Sequence, residues 1–276
     1  MNLRKYIEFA KVGWQKRIQW RGRFVLNRIR NLIVLLTLYF LWTKVFPVNT
    51  SGYGKKEITE YLVLSNLLFS FIFHYSSDKI ADDIALGRIN NNLLKPVNYL
   101  VIQFTSGFSK RIFNLLEGIL ETALLFIILN VNATPVILER LRPILNLAQD
   151  DATLIFGITA LLLAAVLFSL MDYAMGLVAF WTQRAYGPRF VFRQIIEFSA
   201  GKFMPLTILP ATLVGFFQKL PFSYTLFFPL QIWLGQLNQA EIISGILIQS
   251  TWLLISFVAL YLIWKRGLRV YSAVGG

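Results

Sequence analysis

The feature that most constrains this chain is a series of long segments without charged side chains. The clearest runs from Ile242 to Trp264 and is followed at once by Lys265 and Arg266. A helix of about 20 apolar residues crosses the hydrocarbon core of a bilayer. Because 56% of the 276 residues are hydrophobic and only 15% are charged, a soluble fold would lack the polar surface that it needs. The sequence therefore predicts an all-α integral membrane protein with a single transmembrane domain, residues 1–276.

Six segments of this kind predict six transmembrane helices. Their approximate limits are residues 24–46, 60–77, 107–130, 152–180, 190–217 and 242–264. A further apolar stretch, residues 218–241, contains Pro221 and Pro229 and becomes rich in Gln and Asn towards its end. Because proline interrupts a helix, we interpret this stretch as short outer-face helices or a re-entrant segment and not as a seventh span.

The basic residues predict how the chain is oriented. Residues 1–23 alternate basic with aromatic and aliphatic positions at helical spacing, which predicts an amphipathic helix on the inner membrane surface; a solvated basic leader is the alternative. Most of the 27 Lys and Arg residues fall in the segments that the six-span topology assigns to one side. The positive-inside rule then predicts cytoplasmic N- and C-termini. We expect the membrane to be the inner membrane of a bacterial-type cell. It also explains the net charge of +13 without nucleic acid as a partner.

Residues with the chemistry of an active site are scarce. The chain has no cysteine, and its one histidine, His74, has no neighbouring ligands in the sequence. We therefore expect His74 to pack between helices or to face a pore, and we expect no metal site there. Residues 52–56 look superficially like a phosphate-binding loop but lack its first glycine and its Ser or Thr after the lysine. We therefore expect no enzymatic activity and no cofactor in this chain.

Acidic residues inside the predicted spans are the next candidates for function. Glu117 and Glu121 are four residues apart and share a helix face, and Asp172 and Glu197 lie in later spans. A charge at mid-membrane costs at least about 2.5 kcal/mol. These carboxylates either line a polar, cation-attracting translocation pathway or pair with cations on other helices. Lys202 follows Glu197 by five residues, a spacing that predicts no ion pair between them.

The fifth predicted span contains residues that break a helix. Gly201, Pro205 and Pro210 interrupt its hydrogen-bond ladder, and lipid cannot satisfy the freed backbone groups. We therefore expect this break where protein or water surrounds it. Aromatic side chains at its outer end either gate a lateral exit for an apolar solute or form an interfacial belt; the pathway candidates among them are Phe216, Phe217 and Phe228.

Three features of the sequence resemble the permease subunits of type-2 ABC exporters, the ABC-2 family. One is the basic and aromatic N-terminal segment. Another is the polar segment after the second span, residues 78–99, which contains DDIALGRINNNLLKPVNYL. The third is FSAGKFMPLTILPATL, followed by LPFSYTLFFPLQIWLG before the last span. Their order and spacing cover most of the chain.

The resemblance implies that residues 78–99 contain a coupling helix that docks on a separate ATP-binding-cassette ATPase. It also implies a second permease half, identical or paralogous, with ATP and Mg²⁺ used by the ATPase. An ordinary solvated loop with helix caps is the alternative. The residues that would dock on the ATPase are Asp82, Asp83, Gly87, Arg88, Leu93, Leu94, Lys95 and Pro96.

On this basis we expect the permease subunit of an ATP-driven exporter. Its substrate would be a hydrophobic or amphipathic small molecule, drug-like or cationic. Two alternatives stay open: a permease that exports a lipid or a lipid-linked glycan, and a membrane scaffold or sensor subunit that transports nothing. Membrane lipids surround the chain in every case.

Overall fold

The computed structural model describes residues 21–45, 55–94, 98–129, 151–182 and 186–271. Every regular element in these ranges is a helix, as the sequence predicts. The helices are α1 (Arg21–Val45), α2 (Lys55–Ile72), α3 (Ser77–Ala85), α4 (Ile89–Leu93), α5 (Tyr99–Ile128), α6 (Asp151–Leu177), α7 (Tyr186–Ser199), α8 (Ala211–Gln218), α9 (Phe227–Trp233) and α10 (Gln239–Val270). The predicted interfacial helix lies outside the described residues except for residues 21–23, which open α1.

Four stretches of helix are long and apolar enough to cross a membrane. They are Val25–Lys44, Glu57–Ala85, Ala152–Phe180 and Gln239–Val270. The second of these combines α2 and α3 across a short non-helical link, residues 73–76. These four segments confirm an all-α membrane protein, with spans at four of the six predicted positions.

The six-span count itself is not confirmed. The third predicted span, residues 107–130, overlaps the 30-residue α5, which ends at Ile128. The fifth is divided, because α7 has 14 residues, α8 has eight, and a 3₁₀ turn at Leu206–Ile208 lies between them. Helix α9 has seven residues and is therefore about 10 Å long, too short to be a seventh span.

Helix α6 occupies the centre of the described fold. Its middle section is completely buried at Ala160, Ala164, Leu167 and Phe168, and it packs against α2, α3, α9 and α10. Small residues let helices approach closely where no hydrophobic effect drives them together. Ala160 and Ala164 therefore allow a close approach of neighbouring helices to one face of α6.

The short helices α3 and α9 lie at opposite ends of α6. Trp233 of α9 packs on Gly157, and Ile80 of α3 packs on Gly176. These two glycines are separated by about 28 Å along the α6 axis, at 1.5 Å per residue. Helix α3 therefore belongs to one end of the helix bundle, and α9 to the other.

Candidate functional site

The segment after α2 folds as a short helical hairpin, residues 76–94, which we call the α3–α4 segment. Ile80, Ala81 and Ile84 face inward from α3 and are buried, whereas Leu86 is exposed. Gly87 has φ of +69°, a left-handed conformation that a residue with a Cβ rarely adopts. The turn at Gly87 redirects the chain into α4. The segment thus has one face fixed to the bundle and one face free of it.

The structure divides the predicted docking residues between these two faces. Asp82 is exposed, and Leu94 is 85% exposed. Asp83 is buried, accepting hydrogen bonds from Tyr99 Oη at 2.9 Å and from Arg88 Nε at 3.1 Å. Leu93 ends α4. Lys95 and Pro96 lie outside the described residues, so their predicted contact with an ATPase stays a prediction.

Tyr99 fixes Asp83 from the first turn of α5. Burial, and then the neighbouring Asp83 carboxylate, raise the pKa of Tyr99. The phenol therefore stays protonated at neutral pH and donates to the carboxylate. On its other side, the Tyr99 ring stacks on Trp264 of α10, with centroids 5.9 Å apart. Asp83 thus holds the α3–α4 segment to α5 instead of facing outward.

The N-terminus of α3 is capped by a carboxylate from another helix. Asp172 of α6 is completely buried, and its Oδ2 accepts from the backbone N–H of Ser76 at 2.6 Å and of Ser77 at 2.9 Å. The Ser76 side chain makes no capping hydrogen bond of its own. Because the first N–H groups of a helix have no partner within it, Asp172 satisfies donors that would otherwise be buried and unpaired.

Two arginines of α7 bind the same turn of α3. Arg189 is buried, and its Nη1 donates to the backbone carbonyl of Ser77 at 3.0 Å. Arg193 forms an ion pair with Asp78 at 2.5 Å, and its guanidinium lies 4.5 Å from the centre of the Tyr75 ring. The first turn of α3 is therefore bound by an anion from α6 and two cations from α7.

Glu197 pairs with Lys202, so the prediction of no ion pair was wrong. Their charged atoms are 2.5 Å apart, and Glu197 also accepts from Tyr75 Oη at 2.7 Å. The cause is the end of α7. Gly201 has φ of +79°, and the Lys202 N–H returns to the Glu197 carbonyl at 3.2 Å. This helix-ending turn brings the Lys202 side chain back to Glu197. Residues five apart would be separated only if the helix continued past Gly201.

The backbone of the helix break is bound by side chains of α1 and α2. The hydrogen bonds run from Tyr61 to the carbonyls of Gly201 and Met204 (the latter at 3.2 Å), from Ser65 to that of Lys202 (3.3 Å) and from Trp42 to that of Phe203 (2.7 Å). Pro205 precedes the 3₁₀ turn, and Pro210 precedes α8. The freed carbonyls thus find protein donors, which lipid could not supply.

Glu117 and Glu121 form ion pairs with α1. Arg28 Nη2 lies 2.8 Å from Glu117 Oε2, and Arg28 Nη1 lies 2.5 Å from Glu121 Oε1. Asn31 adds a hydrogen bond to Glu121 at 3.2 Å. Both carboxylates are buried, and they share one cation, which lies on another helix.

The aromatic candidates do not converge on one surface. Phe216 of α8 is exposed, whereas Phe217 packs 6.0 Å from Phe198 of α7. Phe228 of α9 is buried, with its ring against Gly245 of α10. Phe216 therefore faces the surroundings of the protein, and Phe228 contributes to the packing between α9 and α10.

Sequence reasoning missed the cations that bind the acidic residues. In the sequence, Arg28, Arg189 and Arg193 stand out only as part of the excess of basic residues. Arg189 and Arg193 are four residues apart on one helix face, which is the one local signal of a shared target. Among the described residues, no group of three or more His, Cys, Asp and Glu side chains is placed to hold a metal ion.

Comparison with known proteins identifies the family. The family model described as ABC-2 family transporter protein matches residues 32–275, which includes most of α1 and every described helix after it. No match to a curated protein was found. The matched region is far more than half of the chain and contains the α3–α4 segment, the helix break, three of the four candidate spans and most of the first one. The chain therefore belongs to the ABC-2 family of transporter proteins.

Proposed function

We propose that this chain is the permease subunit of an ATP-driven exporter in the inner membrane of a bacterial-type cell, with both termini in the cytoplasm. A separate ATP-binding-cassette subunit binds ATP and Mg²⁺ and supplies the energy. A second permease half, identical or paralogous, completes the transporter. Family membership supports the ABC partner, and the density of Lys and Arg on one predicted side supports the orientation.

The observation that carries the proposal is the two-faced α3–α4 segment. Its inner face is bound to α5, α6 and α7 through Asp83 and the first turn of α3. Its outer face presents Leu86 and Leu94, with Asp82 and Arg88 beside them. Apolar anchors surrounded by charged side chains are typical of protein–protein interfaces. A surface of this kind, on a segment fixed to the membrane helices, suits an ATPase that must move them.

The proposed substrate is a hydrophobic or amphipathic small molecule. The exposed Phe216 lies beside the helix break, where an apolar solute would find aromatic contact. Glu117 and Glu121 are buried at their contact with Arg28, so a cationic solute would reach them only if that contact opened. An amphipathic solute without an obligatory positive charge is therefore better supported than one that depends on cation binding.

Co-purification from the native membrane tests the proposal. We expect a stoichiometric ATPase subunit with the wild-type chain and its loss with Leu94→Asp or Arg88→Glu. Val270→Asp is the matched control for Leu94→Asp, because Val270 is also an exposed aliphatic residue, at the end of α10. A wild-type chain that purifies without any ATP-hydrolysing subunit would contradict the proposed function. Equal loss of the subunit in the control would contradict the assigned docking surface.

A further inference from the structure

We infer that Asp172, Arg189 and Arg193 form a clamp that makes the first turn of α3 move as one body with the adjoining parts of α6 and α7. In this inference, which rests on the proposed function, the clamp transmits the motion of a docked ATPase into the membrane. The three side chains are positioning residues: they contact α3 and neither the ATPase nor the substrate. The clamp is distinct from the exposed docking face.

The need for an external clamp follows from the length of α3. A helix of nine residues is too short to be stable by itself in water, and its N-terminus has no side-chain cap of its own. Asp172 supplies this cap from α6 through two short hydrogen bonds. If α3 moved away from α6, the carboxylate would be left buried without those two donors. Separation of the two helices is therefore strongly disfavoured.

The cations of α7 complete the clamp with opposite polarity. Arg189 binds the backbone carbonyls of the first turn, at 3.0 Å from Ser77 O and 3.4 Å from Asp78 O. Arg193 binds the Asp78 side chain. The same turn is thus held through its N–H groups by an anion and through its oxygens by cations. Displacement of α3 away from α6 or away from α7 breaks charge-assisted hydrogen bonds.

Direct packing excludes a layer of intervening side chains between α3 and α6. A Cβ placed on Gly176 would lie 2.9 Å from Ile80 Cβ and 3.0 Å from Ser77 Cα. Both distances are well below the usual carbon–carbon contact of about 3.5–4.0 Å. The backbone of α3 therefore lies in direct contact with α6, so that a displacement of one helix displaces the other.

A chain of contacts continues from the clamp to the helix break. The guanidinium of Arg193 lies over the Tyr75 ring, Tyr75 donates to Glu197, and Glu197 pairs with Lys202. Lys202 is part of the break, and its ammonium lies 3.8 Å from the centre of the Phe69 ring in α2. The clamp is therefore connected to the part of the fold whose backbone is not helical.

Hydrogen exchange on the purified permease tests the clamp without any ATPase. Asp172→Leu removes the oxygen that accepts both hydrogen bonds, whereas Asp172→Asn keeps the shape and one neutral acceptor. We expect the amides of the first turn of α3 to exchange at least about tenfold faster in the leucine variant than in the wild type. This factor corresponds to the loss of one charge-assisted hydrogen bond. The increase in exchange rate should be smaller in the asparagine variant. Exchange equal to wild type in the leucine variant would overturn the clamp.

Charge reversal in the assembled transporter tests the transmission. Asp78→Arg and Arg193→Asp each place like charges together, and the double variant restores an ion pair of reversed polarity. We expect each single variant to keep the bound ATPase and its ATP hydrolysis. Transport per ATP should fall about tenfold in each, as for loss of one charge-assisted contact. The double variant should recover most of the lost transport. Arg266→Asp, which reverses an exposed arginine near the end of α10, is the control.

The outcomes separate the two proposals. Unchanged transport per ATP in the single variants, or a double variant no better than either, would overturn the transmission role. Loss of the ATPase from a single variant would place Asp78 and Arg193 in the docking surface and would also overturn it. A wild-type permease that binds no ATPase contradicts the proposed function instead, and hydrogen exchange still reports on the clamp in that case.

Discussion

Substitution of Gly176 by alanine tests the contact between α3 and α6 most simply. The new Cβ would lie 2.9 Å from Ile80 Cβ, 3.0 Å from Ile80 Cγ2 and 3.0 Å from Ser77 Cα. Carbon atoms in contact are normally about 3.5–4.0 Å apart. Because the Ser77 atom belongs to the backbone, a side-chain rotation cannot relieve the clash. Helix α3 must therefore move away from α6 by roughly 0.5–1 Å.

The free energy of this change can be estimated from the same geometry. Inserting a methyl group into a packed interior usually costs about 1–3 kcal/mol. The shift also lengthens the hydrogen bond from Ser77 N to Asp172, now 2.9 Å, beyond the range of a normal hydrogen bond. We expect the cost to fall in the upper half of the overpacking range, at about 2–3 kcal/mol.

Unfolding of the purified permease in mixed micelles, titrated with dodecyl sulfate, measures this loss. Gly215→Ala is the matched control, because Gly215 lies inside α8 and a Cβ there meets nothing within 4 Å. Alanine favours a helix over glycine by about 0.5–1 kcal/mol, so the control should be neutral or slightly more stable. If the Gly176 variant is as stable as the Gly215 variant, the close contact between α3 and α6 does not exist as described.

Three further substitutions test other parts of the structure by the same unfolding titration. Arg28→Met removes the arginine that pairs with both buried carboxylates, Glu117 and Glu121, and should cost about 3–5 kcal/mol. Adding Glu117→Gln and Glu121→Gln should restore much of the loss, and no recovery would contradict the ion pairs. Tyr61→Phe removes the donor to two carbonyls of the helix break and should cost about 1–3 kcal/mol. Gln249→Leu removes hydrogen bonds to the carbonyls of Ala160 and Tyr224 and should cost about 0.6–1.7 kcal/mol, the range for polar contacts between membrane helices.

Local patterns in the sequence predict much of the helical framework. The charge-free run from Ile242 to Trp264 lies inside α10, and the fourth predicted span, residues 152–180, overlaps nearly all of α6. Such runs are informative because bilayer thickness fixes the length of a spanning helix and every polar backbone group must be satisfied within it. The sequence also places Gly201 and Pro205 in the fifth predicted span, which the structure divides at those residues.

The charged contacts of the site could not be predicted in this way. Asp78 and Arg193 are 115 residues apart, and Ser76 and Asp172 are 96 apart, so no helical spacing rule relates them. The rule also failed for Glu197 and Lys202, because it assumes a helix that continues past Gly201. An acidic residue in an apolar segment predicts that a partner exists, but the identity of that partner depends on how the helices pack.

Transport in reconstituted vesicles tests the central claim most directly. The permease and the ATPase subunit that co-purifies with it would be incorporated into liposomes with the docking face outward. A fluorescent amphipathic dye and ATP with Mg²⁺ would then be added outside. The account predicts accumulation of the dye inside the vesicles that requires ATP, requires both subunits and is lost with Leu94→Asp. Dye movement that is the same with and without ATP, in vesicles whose ATPase is active and bound to the permease, would contradict it.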